Sequence, residues 1–477
     1  MAKLGANRVR ITRARRLDGS TIDLVVSAGR IVHIEPTRGR GDGDLDADGR
    51  VVVPGLWDEH VHLGLWAASR RRLDLATASS AAEAAALIAR AADVAPRGEI
   101  LVATGLREGL WQAPPTAALM DAAAGNVPVM AVSLDVHSSW CSSALATRLG
   151  IDLGPDGMLR EAAHFSAQLR VEAEADERVR DSWVREAIDA AAARGVVGIV
   201  DLEFDDAVAA WSHRAAPPLH VEAGVYPHAL DRAIARGDHT GRAVGPNVEV
   251  GPLKIITDGS LGTRTAYCHA PYPGTADRGV LEVPPALLET LLVRGRDAGF
   301  SPAIHAIGDA AVEAVLDVVL RLGLHGRLEH AQLVTQADVA RLARAGLIAS
   351  LQPAHLVDDL VLLERYWPGR DTDAYRLRSL LDAGVRVVFG SDAPVSPLDP
   401  WRSIAAAVRR GAPDATPFGV DEAIDVATAI SCSARSSIEL GEPADLVLLD
   451  DDIERTRLET MPVYATLVGG DPVHGPV

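Results

Sequence analysis

The sequence predicts an α/β protein built around a (β/α)8 TIM barrel, and two observations carry this prediction. Eight near-continuous apolar runs recur through the middle of the 477-residue chain, and helical stretches rich in Ala, Leu and Arg lie between several of them. Apolar strands that alternate with helices indicate a parallel sheet, and eight of them suggest a closed barrel. The runs, in chain order, are VVVPGLWDEHVH, GVVGIVDLE, LHVEAGVYP, GPLKIITDG, SPAIHAIGD, GRLEHAQLV, LIASLQPAH and VRVVFGSDAP.

Short strand-like segments separated by turns occur at both ends of the chain, and neither end is long enough to bury a sheet face alone. We therefore expect residues 1–53 and 435–477 to pair into a small composite β-sandwich domain, with the barrel spanning residues 54–434. The first two apolar runs are too far apart for a single loop to join them. Residues 66–165 are predicted to form an inserted α/β subdomain over the C-terminal mouth of the barrel, where active sites of this fold occur.

Composition and charge exclude several classes of protein. The net charge is 47 − 65 = −18, which argues against a nucleic-acid partner and against an anionic membrane surface. Three cysteines lie far apart without a CxxC pair, so neither a disulfide framework nor a thiolate zinc site is expected. The chain has no uncharged apolar run of membrane-spanning length, and its basic N-terminal stretch lacks an apolar core. A soluble cytoplasmic protein is expected.

Lysine usage singles out one position. Of the 47 basic residues, two are lysines, Lys3 and Lys254, and Lys254 lies within the apolar run GPLKIITDG. Arginine stays charged in a protein, whereas a buried lysine can lose its proton. A deprotonated lysine can react with carbon dioxide to form a carbamate, a carboxylate able to bridge two metal ions. The alternative is a packed lysine stem with a paired ammonium group.

Histidines and carboxylates lie at the ends of the predicted barrel strands. His60 and His62 alternate along the first strand and therefore share a face. His305, His330 and Asp392 fall at the carboxyl ends of later strands. Each alone is often a hydrogen-bonded core histidine or a helix-capping aspartate, but their joint placement predicts a metal site. Imidazole and carboxylate suit zinc, and iron and manganese are permitted.

Several motifs together resemble a known family. The chain is similar to the amidohydrolase superfamily, and within it to the amidohydrolase-3 branch of YtcJ-like and N-substituted formamide deformylase-like enzymes. The resemblance covers nearly the whole chain. It rests on PGLWDEHVH, GPLKIITDGSLGTRTAYCHAPY, HAIGDAAVEAVLD, RLEHAQLV, GSDAPVSPLDPW and GEPADLVLLD.

The resemblance implies a role for each candidate. His60, His62 and Asp392 would hold a first divalent ion, His305 and His330 a second, and a carboxylated Lys254 would bridge them, although one ion is also possible in this superfamily. Asp392 would also be the catalytic general base on a metal-activated hydroxide that attacks an amide-like carbonyl.

Four further residues are candidates for substrate binding. Asp258 and Arg264 follow Lys254 on the loop at the barrel mouth, where Arg264 could bind a substrate carboxylate or form a structural salt bridge. Trp111 and His137 lie in segments that resemble the substrate side of the family, and core packing is the alternative for Trp111.

The preferred interpretation is a metal-dependent hydrolase of a non-peptide carbon–nitrogen bond in a small molecule, with N-acyl and N-formyl amides as candidate substrates. An ester or lactone hydrolase, or a deaminase of a cyclic amidine, would use the same groups. A barrel that binds a small molecule without turning it over is the third alternative. The resemblance is also compatible with a homodimer.

Overall fold

The computed structural model describes residues 8–39, 43–96, 98–174, 176–370, 372–453 and 457–476. Within these ranges the strands form three sheets of eight, five and nine strands. Both ends of the chain contribute to the first sheet, the inserted segment forms the second, and the middle of the chain forms the third. No helix in the described ranges is long and apolar enough to span a bilayer.

Five strands open the described chain. β1 lies at the centre, antiparallel to β2 and parallel to β4 and β5, and β3 extends the sheet beyond β2. These strands are β1 (Val9–Arg15), β2 (Thr21–Ser27), β3 (Arg30–Pro36), β4 (Leu45–Asp46) and β5 (Val51–Pro54).

The first barrel strand is β6 (Leu56–Val61), and all six of its residues are buried. The inserted segment follows, with a sheet in the order β11-β10-β9-β8-β7. Its strands are β7 (Leu73–Asp74), β8 (Leu101–Leu106), β9 (Val129–Ser133), β10 (Ser138–Cys141) and β11 (Met158–Arg160). The helices of this part are α1 (Leu63–Ser69), α2 (Ala81–Ala92), α3 (Ala117–Ala124), α4 (Ser143–Leu149) and α5 (Glu161–Glu172), with a 3-10 turn at Glu108–Leu110.

Eight further strands join β6 in the barrel sheet. The order is β6-β12-β13-β15-β16-β17-β18-β19 with parallel neighbours, and the short β14 pairs antiparallel with β15. The eight predicted barrel strands are therefore confirmed. The added strands are β12 (Val196–Asp201), β13 (His220–Val225), β14 (Ala243–Gly245), β15 (Val248–Ile256), β16 (Pro302–Ala306), β17 (Arg327–His330), β18 (Ile348–Leu351) and β19 (Val387–Phe389).

Helices connect these parallel strands, and several end at a glycine. α10, for example, ends where Gly323 adopts a left-handed φ of 61°, which the absence of a Cβ permits. The helices are α6 (Glu177–Ala192), α7 (Ala207–His213), α8 (Leu230–Arg236), α9 (Pro285–Asp297), α10 (Asp309–Leu322), α11 (Gln336–Ala345), α12 (Pro353–Tyr366), α13 (Arg378–Asp382) and α14 (Pro400–Arg409), with a 3-10 turn at Val420–Glu422.

The barrel closes through the segment that follows β19. The amide of Asp392 donates to the carbonyl of His60 at 2.7 Å, and the amide of His62 donates to the carbonyl of Ala393 at 2.9 Å. A parallel bridge joins Val61 to Ala393. The last strand is thus linked to the first at the ends where two predicted metal ligands lie.

The chain returns to its first sheet after the barrel. β20 pairs antiparallel with both β5 and β21, so strands from the two ends form one hydrogen-bonded sheet. The predicted division into the two stacked sheets of a sandwich is not confirmed. These elements are α15 (Val426–Cys432), β20 (Leu446–Leu449), β21 (Val463–Val468) and β22 (Asp471–His474), with a 3-10 turn at Leu458–Thr460.

The segment that leads from α15 to β20 also anchors β6. Trp57 donates its amide to the carbonyl of Ser433 at 2.7 Å. The guanidinium of Arg435 lies 3.6 Å from the centroid of the Trp57 ring and donates to Glu59 at 2.6 Å. A cation over an aromatic face and a charge-assisted hydrogen bond both stabilise such a contact. The strand that carries the first two histidines is therefore fixed from outside the barrel.

We expect Gly198→Ala to lower the free energy of unfolding by about 1–3 kcal/mol, because overpacking a close contact costs energy of that order. A Cβ at Gly198 would lie 2.4 Å from the indole of Trp57. Urea unfolding of the purified protein measures the change.

The matched control is Gly245→Ala, since a Cβ there meets no atom within 4 Å. Equal stability changes in the two variants would show that β12 does not pack tightly on Trp57.

Candidate metal centre

The candidate ligands lie in, or directly after, four strands of the barrel. The first and last strands, β6 and β19, meet where the barrel closes, and we call this junction the seam. His60 is in β6, His62 follows it, and His330 ends β17. Asp392 follows β19, and Lys254 lies within β15. Parallel strands present their carboxyl ends at one mouth of a barrel, and the structure brings the side chains of His60, His62 and Asp392 together there.

Two of these residues have an unusual backbone. His330 has φ of 70° and Asp392 has φ of 56°, both in the left-handed region that non-glycine residues rarely adopt. The hydrogen bond from the Asp392 amide to His60 holds one of these turns in place. Backbone strain of this kind is concentrated at functional sites, where the surrounding structure maintains it.

Asp392 lies at the centre of the cluster. Its Oδ1 is 3.3 Å from Nε2 of both His60 and His62, and its side chain is buried. His62 is held by stacking on the ring of Phe204, with the centroids 4.6 Å apart. The three ligand atoms lie within 4.8 Å of one another, close enough to share one cation.

A second group of three shares the same aspartate and includes a residue that the sequence reasoning missed. His330, His355 and Asp392 also bring their ligand atoms within 4.8 Å. His355 Nε2 is 4.0 Å from Asp392 Oδ2 and 3.3 Å from the carbonyl of Ser391. His355 lies in the first turn of α12 rather than at a strand end, and the prediction from sequence is confined to histidines at strand ends. The signal that could have identified it is the last residue of the apolar run LIASLQPAH.

His305 lies beside this group without belonging to either set of three. Its ring centroid is 4.3 Å from that of His330. Its Nε2, however, lies 3.5 Å from the carbonyl of Gly259 and 3.6 Å from Oδ1 of Asp258. Its role as a metal ligand stays a prediction.

A buried carboxylate fixes the orientation of His60. Nδ1 of His60 lies 2.7 Å from Oε2 of Glu329, and Nε of Arg327 donates to the other carboxylate oxygen, Oε1, at 2.8 Å. Burial opposes ionisation of Glu329, but Arg327 and His60 hold its pKa below the usual range. An ionised carboxylate only accepts, so Nδ1 carries the proton and Nε2 presents its lone pair to the site. Glu329 adjoins His330 in the sequence, but no strand-end pattern distinguished it.

Asp58 connects β6 to the segment that follows β19. Its Oδ1 accepts from the amide of His60 at 3.2 Å and from the amide of Ser391 at 2.9 Å. Burial raises the pKa of Asp58 to about 7. This carboxyl group therefore positions the backbone on either side of the ligands.

Lys254 faces the same space. Its side chain is 1% exposed, and its Nζ lies 3.3 Å from Nε2 of His60. Burial lowers the pKa of Lys254 to about 8. The burial expected from the lysine count is thus present, and the ammonium group shares His60 with the candidate metal position.

The buried polar atoms of the cluster fit a divalent cation. Among the described residues, Asp392 Oδ1 at the centre of the cluster is buried without a hydrogen-bond partner. Unpartnered buried polar atoms are costly. Imidazole and carboxylate donors around one position are the set that zinc and related ions take.

The other predicted substrate residues are spread around the mouth. His137 lines a cleft together with His330, His355 and Asp392. Burial lowers the pKa of His137, but the Glu161 carboxylate at 2.8 Å raises it to about 9, so the imidazole is protonated.

The structure does not bring the remaining three predicted substrate residues to the cleft lining. Asp258 is fully buried and accepts from three backbone amides, so it holds the loop. Arg264 is exposed, with its guanidinium 5.7 Å from the Tyr366 ring centroid. Trp111 packs in the core of the inserted segment and donates to the carbonyl of Ala78 at 3.2 Å. Their substrate contacts stay predictions.

A family model described as the amidohydrolase family matches residues 45–474. The chain belongs to the amidohydrolase family. Amidohydrolases are metal-dependent, and the two His/Asp groups described above could hold a metal ion. The chain is accordingly a hydrolase.

Curated relatives of this amidohydrolase match over most of their length. It is 28% identical to the putative amidohydrolase YtcJ of Bacillus subtilis, over 90% of each chain. It is 27% identical to an N-substituted formamide deformylase of Arthrobacter pascens, over 94% of each. Its fold resembles the crystal structure of an uncharacterized metal-dependent hydrolase from Pyrococcus horikoshii, with a TM-score of 0.78 at 24% identity, covering 95% of this chain and 100% of the other.

We expect Glu329→Gln to weaken binding of a divalent ion by about 10–100-fold, the usual effect of losing a carboxylate behind a ligating histidine. The neutral amide no longer favours the tautomer that presents Nε2. Metal titration of the purified variant against a competing chelator measures the affinity.

Glu313→Gln is the matched control, because Glu313 pairs with His269 on the exposed surface. Unchanged affinity in Glu329→Gln, with the melting temperature of the metal-free protein also unchanged, would exclude this role for Glu329.

Proposed function

We propose that this amidohydrolase hydrolyses an amide-like, non-peptide carbon–nitrogen bond, with Asp392 as the general base. The observation that supports it is the position of Asp392 Oδ1. This buried oxygen has no hydrogen-bond partner among the described residues, lies 3.3 Å from two histidine nitrogens, and belongs to a residue that lines the cleft. A carboxylate so placed can exchange a proton with a molecule in the cleft.

The proposed metal ligands are His60, His62 and Asp392 for one ion, and His330 and His355 with the same aspartate for a second. A bound divalent ion acidifies water and polarises a carbonyl oxygen. Zinc is the proposed metal, and iron and manganese are permitted by the same donors.

The protein's own groups would complete the reaction. Asp392 accepts a proton from the attacking water as the new carbon–oxygen bond forms. It then delivers that proton to the departing nitrogen as the carbon–nitrogen bond breaks, so one water is consumed and an acid and an amine are released. Glu329 keeps His60 in the ligating tautomer throughout, because its carboxylate holds the Nδ1 proton.

The choice of an amide-like substrate rests on the relatives. One is called a putative amidohydrolase and another an N-substituted formamide deformylase. N-formyl and N-acyl amines are therefore the first substrates to test.

We also propose that Lys254 carries a carbamate. The Nζ ammonium first loses a proton, the neutral amine attacks carbon dioxide to form a nitrogen–carbon bond, and a second proton leaves to solvent, so that a carboxylate replaces the ammonium. The carbamate would put a carboxylate close to His60, because Nζ of Lys254 lies 3.3 Å from Nε2 of His60. A carboxylate there would add oxygen donors to the residues that would hold the proposed ions.

We expect Asp392→Asn to lower kcat on an N-formyl amine by about 10²–10⁴-fold, the contribution of a positioned acid–base group. Chelation should abolish the activity of the wild type, and zinc should restore it. Steady-state assays of formate release measure both effects.

Two results would contradict this function. Turnover of N-formyl and N-acyl amines that survives complete metal removal would exclude the metal mechanism. Cleavage of esters, lactones or cyclic amidines with no cleavage of amides would favour those alternatives.

Lys254→Ala should lower the metal content from about two ions per chain, as expected for a binuclear site, and a short carboxylate such as acetate should restore part of it by filling the space left by the carbamate. Elemental mass spectrometry reports the metal content. Carbon-13 labelled carbon dioxide should give a carbamate signal in the wild type alone.

Lys3→Ala is the matched control for the Lys254→Ala variant. Metal content that does not change in Lys254→Ala, together with no labelled carbamate in the wild type, would show that Lys254 is a packed ammonium.

A further inference from the structure

The cleft that contains the metal centre is lined mainly by acids among its charged groups. Besides Asp392, four carboxylates line it, whereas one arginine, Arg107, does so. The protonated His137 also lines it, but Glu161 already neutralises that imidazole. The four carboxylates are Glu108, Asp135, Asp358 and Asp359.

Two of these carboxylates already have strong partners. Arg107 donates to Asp358 at 2.6 Å. Asp359 accepts from the amide of Gln332 at 2.7 Å and from the hydroxyl of Tyr375 at 2.6 Å. These interactions stabilise the wall of the cleft and leave little capacity for a ligand.

Glu108 and Asp135 differ, because neutral hydroxyl groups hold them. Ser138 donates to Glu108 at 2.6 Å. Asp135 accepts from Ser133 at 2.6 Å and from Ser260 at 2.5 Å. In the part of the chain that the structure describes, neither carboxylate forms a salt bridge within 4.0 Å.

The two carboxylates are fixed in place without a cationic group of the described residues within 4.0 Å, although the amide of His137 donates to Asp135 at 3.3 Å and the charge of the imidazole also acts on Asp135. Arg160, the cation that acts on Glu108, pairs with Asp156 at 2.9 Å. Burial and the charge of Asp135 raise the pKa of Glu108 to about 7. A cation that enters the cleft would relieve this repulsion, because opposite charge favours the ionised form.

The same cleft has an apolar side. Leucines contribute to its lining beside the acids, among them Leu110, Leu261 and Leu362. Such a surface suits a hydrocarbon chain. A ligand that matches the whole cleft therefore has a hydrolysable group at the metal ligands, an apolar spacer and a cationic group.

We propose that the substrate is a mono-N-acylated aliphatic diamine, whose free ammonium group is bound between Glu108 and Asp135 while its amide meets the metal centre. This inference rests on the proposed function for the hydrolytic step. It assigns Glu108 and Asp135 as residues that determine specificity. It disfavours anionic substrates, since the predicted carboxylate ligand Arg264 does not line the cleft.

The test compares three N-formyl compounds with the same spacer of four methylene groups on the zinc-loaded protein. They are N-formyl-1,4-diaminobutane, N-formylpentylamine and N-formyl-5-aminopentanoate, which end in an ammonium, a methyl and a carboxylate. We expect kcat/KM for the ammonium compound to exceed that of the neutral one by at least about tenfold, the size of a charge-assisted hydrogen bond. The carboxylate compound should be the poorest substrate.

Glu108→Gln and Asp135→Asn should each remove this preference, because KM for the ammonium compound should rise by more than KM for N-formylpentylamine. Glu99→Gln, an exposed glutamate of the same inserted segment, is the matched control and should keep the preference. Equal losses on both substrates in the two variants, or no preference in the wild type, would overturn the proposal.

Binding of 1,4-diaminobutane itself, measured by calorimetry, separates the two proposals. If no amide is cleaved but the diamine binds the wild type and not Glu108→Gln, the hydrolase proposal fails and the cation site stands. If amides are cleaved but the diamine does not bind, the cation site fails and the hydrolase stands.

Discussion

The hydrogen bonds that close the barrel are the constraint on which the candidate site depends. The segment after β19 docks on β6 through the Asp392 amide and the His62 amide, and the side chains of the same residues form the cluster. The hydrogen bonds that close the barrel therefore also bring the metal ligands together. Asp58 reinforces both, since its carboxyl group accepts from the backbone on either side of the seam. A substitution that loosens this seam would disturb the fold and the site together.

Behind the ligands, alternating charges run through the barrel interior. Glu329 contacts His60 and Arg327, and Arg327 contacts Glu59 at 2.7 Å. Glu59 in turn accepts from Arg435, which reaches the segment before β20. Each buried charge thus has an opposite neighbour, as buried ion pairs require. This chain of contacts links the orientation of His60 to the segment between α15 and β20.

The barrel could be predicted from the sequence because its strands are apolar runs, and apolar periodicity survives without tertiary information. His60, His62 and Asp392 could be predicted as a group for the same reason, since each lies at the end of such a run. His355 could not, because it lies in the first turn of a helix that reaches back over the mouth. Glu108 and Asp135 were also missed, since they belong to a segment whose placement over the cleft is set by packing.

The terminal sheet has a consequence for synthesis of the chain. Val51 of β5 pairs with Leu449 of β20, about 400 positions later in the sequence. During translation the edge of β5 that binds β20 therefore stays unpaired until β20 has been synthesised. Contacts so distant along the chain form slowly, and an unpaired apolar edge invites association with other chains. Cellular chaperones would accordingly matter most for this protein in the interval before β20 emerges from the ribosome.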